Sequence, residues 1–577
     1  MTDDIHVRGR QLAAVLGTVT QVYTTASEML GHPIGERQRA KLWSQVSDEQ
    51  VLFLVAKILA DIDLSSATER PEVDVRWAKR VSDKDLRDRL LVSTHLGSTL
   101  FAPQLLLLAV REALANCPPG PPTRDTRGLD LVVRCLLGIG DEASSTRRSD
   151  NWGGLPGGLA GEMIANQNFN RSVNIGHQLT WIDRAWFQRW PYSTRATETA
   201  GGQPWELFEE ATGVQLEDFA TVAINLYIRA SRNVISSPDF DSLGLPNRAI
   251  EHFIGVTSRA VSELRSEITR EVEASSGSLY AFNALRRFPL VRLRSGEILT
   301  LRAGFLVERA MSEVTYFDVR DYLSRTDKAN GTKRDEAFKS CTNDVLEYEA
   351  GVTLQRMFSR SKNRVLCEKQ LQRLFSSKTR TASVCDYAIR QGSTWLLIEV
   401  TDRAIPGQVV FGQASATSLD DELDRVLTDR KARQLASTIH LLRKRNKTGN
   451  GRRPKDLTFI PLVLTAPAGL GWNTAVHQRV KERLRENFGL SEEFAASVAL
   501  ITLKDLRILE NAAEQGQDVL KVLLAWRKSA PGDSLDNYLL EQGISLGAPE
   551  WEKRRASQVV DRFVKRMNAA KLRGFAG

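Results

Sequence analysis

Cysteine is scarce in this chain: Cys117, Cys135, Cys341, Cys367 and Cys385 are the only five among 577 residues. None of their spacings matches a zinc finger, and the odd number speaks against a disulfide framework. A reducing, cytoplasmic setting is the expectation. The seven histidines are dispersed. None pairs as H-x-x-x-H and no G-x-S-x-G elbow occurs, so neither a helix-borne zinc hydrolase nor a nucleophile-elbow hydrolase is supported. Long apolar runs are missing too. The strongest, Leu100–Val110, contains Pro103 and Gln104 and ends at Arg111-Glu112. A bilayer span needs about 20 apolar residues, so the segment reads as a buried helix and no membrane partner is expected. The start, Met-Thr-Asp-Asp-Ile-His, lacks the basic-then-apolar layout of a secretory signal. The glycine-rich Asn151–Gly161 is followed by Glu162-Met163 rather than Lys-Ser or Lys-Thr. It therefore reads as a surface loop, not a P-loop.

What is present is ample apolar content, 42%, with 26% charged residues and a net charge of +9. That composition suits a globular chain of about three to four domains. The positive balance is compatible with a nucleic-acid partner. Residues 1–275 read mostly as helix, in one or two subdomains, with helical spacing over Gln11–Leu30, Asp48–Leu64, Leu86–Ala115 and Phe219–Ile235. This region is expected to recognise a target, a protein partner or another copy of the chain. The proline-rich Cys117–Arg127 is irregular. Residues 276–335 read as a hairpin turning at Ser295-Gly296, then a polar linker at Arg325–Asp335. Residues 529–577 read as a basic helical tail, with eight Lys or Arg against two acids over 551–573. A second basic stretch, 443–455, has no acidic residue. Both are candidate phosphate contacts.

Residues 336–528 have a different pattern. A helix is predicted at about Phe338–Phe358, and strands at Arg364–Glu368, Val384–Arg390, Thr394–Val400, Leu457–Leu464 and Val498–Thr502. Further helices are predicted at Ser418–Arg445, Ala475–Asn487 and Leu503–Lys528. The runs Leu396–Val400 and Ile460–Leu464 are nearly all apolar, as in central strands covered on both faces. The fold class is α/β with a central mixed sheet, following a large helical region. Within it, Asp386 lies in one strand and Glu399 near the end of the next, with a turn at Gln391-Gly392-Ser393 between them. Two carboxylates meeting at one end of a sheet suit Mg²⁺ or Mn²⁺, since such ions take few protein carboxylates and fill their shell with water and substrate oxygens.

An acid in one strand followed by an apolar strand ending in Glu-x-x resembles the PD-(D/E)XK nuclease superfamily, the restriction-endonuclease-like fold. The resemblance spans about a third of the chain. It implies metal-dependent cleavage of DNA or, less often, RNA, in defence against foreign DNA or in DNA processing. It also implies that Asp386 and Glu399 hold metal, and that an acid of the first helix, Glu347 or Glu349, completes the shell. The family's lysine, two residues after the glutamate, is replaced by Thr401. Lys431, on the following helix with Gln434 on the same face, or Lys369 beside Glu368, is left to take its place. If neither does, the alternative is a nuclease-fold protein without activity that binds nucleic acid or scaffolds an assembly.

Overall fold

The computed structural model describes residues 23–574, apart from 66–68, 123–126, 146–150, 153–154, 157–174, 192–193, 231, 238–244, 275–281, 312, 360–363, 377–380, 402–415, 429, 449–455, 467–470 and 487–490. Three apolar cores organise it. The first gathers residues 23–143 with 234–305. The second gathers 179–345 with Val559 and Phe563, and the third gathers 346–546.

The first two cores are mostly helical, and local chemistry explains where helices stop. The expected Leu86–Ala115 helix is two helices, Lys84–His95 and Pro103–Asn116. Gly97 takes φ +90°, and Pro103 supplies the preset φ and missing donor that suit a first turn. Of the expected Gln11–Leu30 helix, residues 11–22 lie outside the described residues and only Ala26–Leu30 is helical. The expected hairpin forms, with Leu290–Arg292 antiparallel to Ile298–Thr300, and joins Ile235–Ser236 and Ser258–Ala260 in a four-stranded sheet. Its Val291 and Leu299 enter the first core, and its Leu290 and Ile298 enter the second. The linker at Arg325–Asp335 is also corrected. Helices Glu313–Asn330 and Arg334–Phe358 run through it, leaving a break at Gly331. The charges at its end are ion-paired: Arg320 Nε meets Asp335 at 2.6 Å and Arg334 Nη2 meets Glu210 at 2.6 Å. Of the glycine-rich loop, Asn151–Trp152 pairs with Leu155–Pro156 and 153–154 and 157–161 lie outside the described residues.

The C-terminal basic stretch is helical, Glu550–Gly574, but it packs inward. Val559 and Phe563 enter the second core. Arg555 Nε donates to Asp183 at 2.6 Å, and Arg566 Nε to Asp218 at 2.9 Å. Charges that read as a solvent-facing tail partly neutralise internal acids.

The third core is the α/β part. Its first helix, α1 (Arg334–Phe358), leads to β1 (Arg364–Cys367) and a short helix α2 (Glu368–Phe375). Strands β2 (Tyr387–Gln391) and β3 (Thr394–Thr401) follow, joined by the two-residue turn Gly392-Ser393 with Gly392 at φ +62°. Then come α3 (Lys431–Thr448), β4 (Thr458–Thr465), α4 (Thr474–Glu486), β5 (Ala499–Thr502) and α5 (Leu503–Glu514). The sheet order is β5-β4-β3-β2-β1. The β1–β2 and β2–β3 pairs are antiparallel, while the β3–β4 and β4–β5 pairs are parallel. The class is α/β with a mixed sheet, as expected. The helix α2 was not expected, and Leu503–Lys528 is split at Gly516, φ +86°, into α5 and Val519–Ser529.

No helix among the described residues is long and apolar enough to cross a membrane.

Candidate active site

The β2–β3 register places Tyr387 opposite Ile398. Asp386, one residue before β2, therefore falls opposite Glu399, and opposed residues of an antiparallel pair project to one face. Asp386 is not itself in the ladder. Its Oδ2 instead accepts the Val400 N–H at 2.7 Å, so the side chain stands where a strand carbonyl would. Glu399 is wholly buried at the centre of the sheet.

Lys431, the first residue of α3, reaches both acids. Its Nζ lies 2.7 Å from Glu399 Oε2 and 3.7 Å from Asp386 Oδ2. An ammonium at the positive end of a helix is ordinarily unfavourable, and here the two carboxylates offset that. Lys431 comes to Glu399 from 32 residues further along the chain. Lys369 is exposed on α2, and the amine that joins the pair is that of Lys431.

Burial, first, and then the Asp386 charge push the Glu399 carboxyl up to about 9, against the opposing pull of Lys431. Lys431 in turn is held more basic than usual by Glu399 and Asp386, which outweigh its burial. Glu399 Oε1 is buried with no hydrogen-bond partner.

The carboxylates around this pair come from two helices. Glu347 of α1 is pushed up to about 7 by burial and then by Asp386, Asp344 and Glu368. Glu368, at the start of α2, is raised by burial and by Asp386. Glu347 thus stands within electrostatic reach of Asp386. It does not close a three-carboxylate shell, and among the described residues no three His, Cys, Asp or Glu side chains are grouped as a metal centre requires. The expected trio of Asp386, Glu399 and Glu347 is corrected to a pair with a neighbouring acid. Glu349 is not in the site. Two residues on from Glu347 along α1, it turns to a different side of the helix. There it pairs with Arg184 at 3.1 Å and Arg507 at 3.3 Å, in a buried network that also holds Glu552 and His177.

Two contacts set the geometry. Gly351 lets α1 approach β2, because a Cβ there would overlap the Tyr387 hydroxyl. That hydroxyl donates to the Glu347 carbonyl at 2.9 Å, fixing the turn that bears Glu347 beside the strand that follows Asp386. On the other side, α3 grips the segment before Asp386. Cys385 N–H donates to Thr438 Oγ1 at 2.8 Å, Ser437 Oγ donates to the Ser383 carbonyl at 2.8 Å, and Gln434 Nε2 donates to the Val384 carbonyl at 3.4 Å. These three residues lie off the sheet, so side chains of α3 satisfy backbone groups that a ladder would otherwise pair. One helix therefore supplies the lysine and holds the chain entering the aspartate.

No protein-family model, curated protein or solved structure matches the chain.

Sequence reasoning missed the roles of Tyr387, Ser437 and Thr438, and of Glu368 as a member of the acidic group. One signal was present. Thr438 falls on the apolar face with Leu435, Ile439 and Leu442, and a threonine on such a face needs a hydrogen-bond partner once buried. The basic run 443–455 sits differently from the expectation. Residues 443–448 end α3, at about 20 Å along the helix from Lys431 at 1.5 Å per residue. Arg443 lies over Phe459 at the far end of β4, and residues 449–455 lie outside the described residues.

Proposed function

We propose that the chain is a divalent-cation-dependent nuclease that cleaves phosphodiester bonds of DNA. The observation that carries this reading is the position of Lys431, whose amine lies beside both Asp386 and Glu399 although Thr401 replaces the expected lysine. The element order supports it: helix, strand, two strands carrying the acids, helix, strand, in one mixed sheet. That is the layout implied by the resemblance to the PD-(D/E)XK superfamily.

The donor set fits a hard cation. Asp386 and Glu399 present carboxylate oxygens on one face, and Glu399 Oε1 is a buried acceptor with no partner. Mg²⁺ or Mn²⁺ held there by Asp386 and Glu399 would polarise a phosphodiester and acidify a water. Lys431 is the positioning cation: it orients the attacking water and faces the negative charge that develops on the phosphate. Glu347, whose carboxyl is raised by burial and then by Asp386, is the neighbouring acid of this centre. The closeness of the Lys431 amine to both acids favours this reading over a nuclease fold without activity.

The test is incubation of supercoiled plasmid and of RNA with Mg²⁺ or Mn²⁺, comparing wild type with Asp386→Ala, Glu399→Ala and Lys431→Ala. The expected result is plasmid cleavage by wild type and a loss of about 100-fold or more in each variant. Equal cleavage by all four proteins refutes the assignment.

A further inference from the structure

The helix that carries Lys431 has a second face. From Arg430 to Lys455 the chain holds ten Lys or Arg and no Asp or Glu. The described part of that run is α3, and its side chains divide cleanly. Leu435, Ile439 and Leu442 enter the α/β core, while Gln434 and Thr438 are buried against 383–385. The other side carries Arg430, just before the helix, then Arg433, His440 and Lys444, with Ser437, which donates to the Ser383 carbonyl, at its edge; steps of three and four residues align these along one side of a helix. All of these except the half-buried Ser437 are exposed.

The neighbouring helix α2 widens the stripe. Its Lys369 and Arg373 are exposed one turn apart. Side chains of the two helices come near each other at two points. Glu368, at one end of α2, feels the Arg430 charge, and Phe375, at the other, lies under the Arg445 guanidinium at 5.9 Å. The result is a ribbon of cations about 20 Å long, from the 1.5 Å rise over Arg430–Lys444. It starts at the Asp386–Glu399–Lys431 centre and runs toward the opposite end of the sheet. In the chain's other basic stretch Arg555, Arg562 and Arg566 meet Asp183 and Asp218.

We propose that this ribbon, the outer face of α3 with Lys369 and Arg373 of α2, is the surface on which the phosphate backbone of a DNA duplex lies. The substrate then extends from the catalytic centre along α3, and the cleaved bond sits at one end of the bound stretch. The identity of the partner as DNA rests on the nuclease reading, while the ribbon's binding does not require catalysis. Charge complementarity supports the occupant: a polyanion releases counterions on meeting such a row, which makes its affinity steeply salt-dependent.

The experiment measures binding of the full chain to a fluorescent duplex of about 20 base pairs, in EDTA, over about 0.05–0.3 M KCl. The double variant Arg433→Gln/Lys444→Gln is compared with Arg554→Gln/Lys565→Gln, which removes equal charge from exposed positions of the C-terminal helix. The ribbon variant is expected to bind about tenfold more weakly near 0.1 M KCl, with a log K against log salt slope shallower by about 2. The control is expected within about twofold of wild type, and Arg433→Lys/Lys444→Arg is expected to restore binding. Equal effects of the two charge-removing pairs, or no binding by wild type, overturn the proposal. Binding through the ribbon without cleavage in Mg²⁺ overturns the nuclease reading alone, whereas cleavage with unchanged binding in the ribbon variant overturns the ribbon alone.

Discussion

Glu399→Gln is expected to make the protein more stable, and increasingly so as pH rises. The wild-type carboxyl is fully buried and pushed from 4.5 up to about 9. A carboxyl whose folded pKa lies above its unfolded value contributes stability that is present below the unfolded value and is lost as pH rises through the folded one. Below about pH 4.5 the group is protonated in both states and has no differential effect. At pH 8 the unfolded chain has released the proton and the folded chain has kept it. By linkage the difference is about 1.4 kcal/mol per pH unit, or about 5 kcal/mol over this interval. Pairing with Lys431 and local relaxation reduce this, and about 2–3 kcal/mol is the working figure. Glutamine has nearly the same shape and does not titrate. Calorimetric unfolding at about pH 5, 6.5 and 8 without divalent cation checks this. The variant's advantage should be small at the lowest pH and grow at each step. In the same assay Mn²⁺ should raise the wild-type transition and leave that of Glu399→Gln nearly unmoved, because a ligand stabilises only the state that binds it. An advantage that stays flat or shrinks with pH refutes the reasoning, since it would mean that Glu399 is ionised in the folded protein.

Thr438→Val should strand the Cys385 N–H against an apolar methyl, costing about 1–3 kcal/mol, while Thr438→Ser keeps the acceptor and most of the stability; urea unfolding of the three proteins decides it, and equal loss in both variants removes the hydrogen bond as the cause. Gly351→Ala should destabilise by about 1–3 kcal/mol through overlap with Tyr387, and Tyr387→Phe should partly relieve it by removing the hydroxyl; purely additive effects in that double-mutant cycle, measured by urea unfolding, would show that the two residues are not in contact.

Much of the α/β part was legible because periodicity survives there without help from distant residues. The strands at 364–367, 387–391, 394–401, 458–465 and 499–502 match alternating or continuous apolar runs bounded by turn residues. Their order alone implied a mixed sheet. The hairpin at 288–301 and the turn at Gly392 follow from turn chemistry. The polar segment Arg325–Asp335 misled for a physical reason. Charges that look solvent-bound in one dimension are satisfied by Arg320–Asp335 and Arg334–Glu210, and the second of these joins residues more than a hundred positions apart. The same holds for the basic C-terminal helix and its bond to Asp183.

Asp386 and Glu399 could be paired from the sequence, because an antiparallel hairpin with a short turn admits few registers. Everything that depended on a helix being placed against that hairpin could not. Glu347 and Glu349 are equivalent in one dimension, and only the packing of α1 on β2, set by Gly351 and Tyr387, turns one toward Asp386 and the other toward Arg184 and Arg507. Lys431 was preferred to Lys369 from the sequence, but only the docking of α3 on residues 383–385 brings its amine to the pair. Local periodicity specifies strands, turns and the facing of neighbours in a hairpin. The tertiary structure decided which lysine and which glutamate stand there, since that depends on how a helix rotates and slides as its apolar face is buried, and the choice carries no local signature.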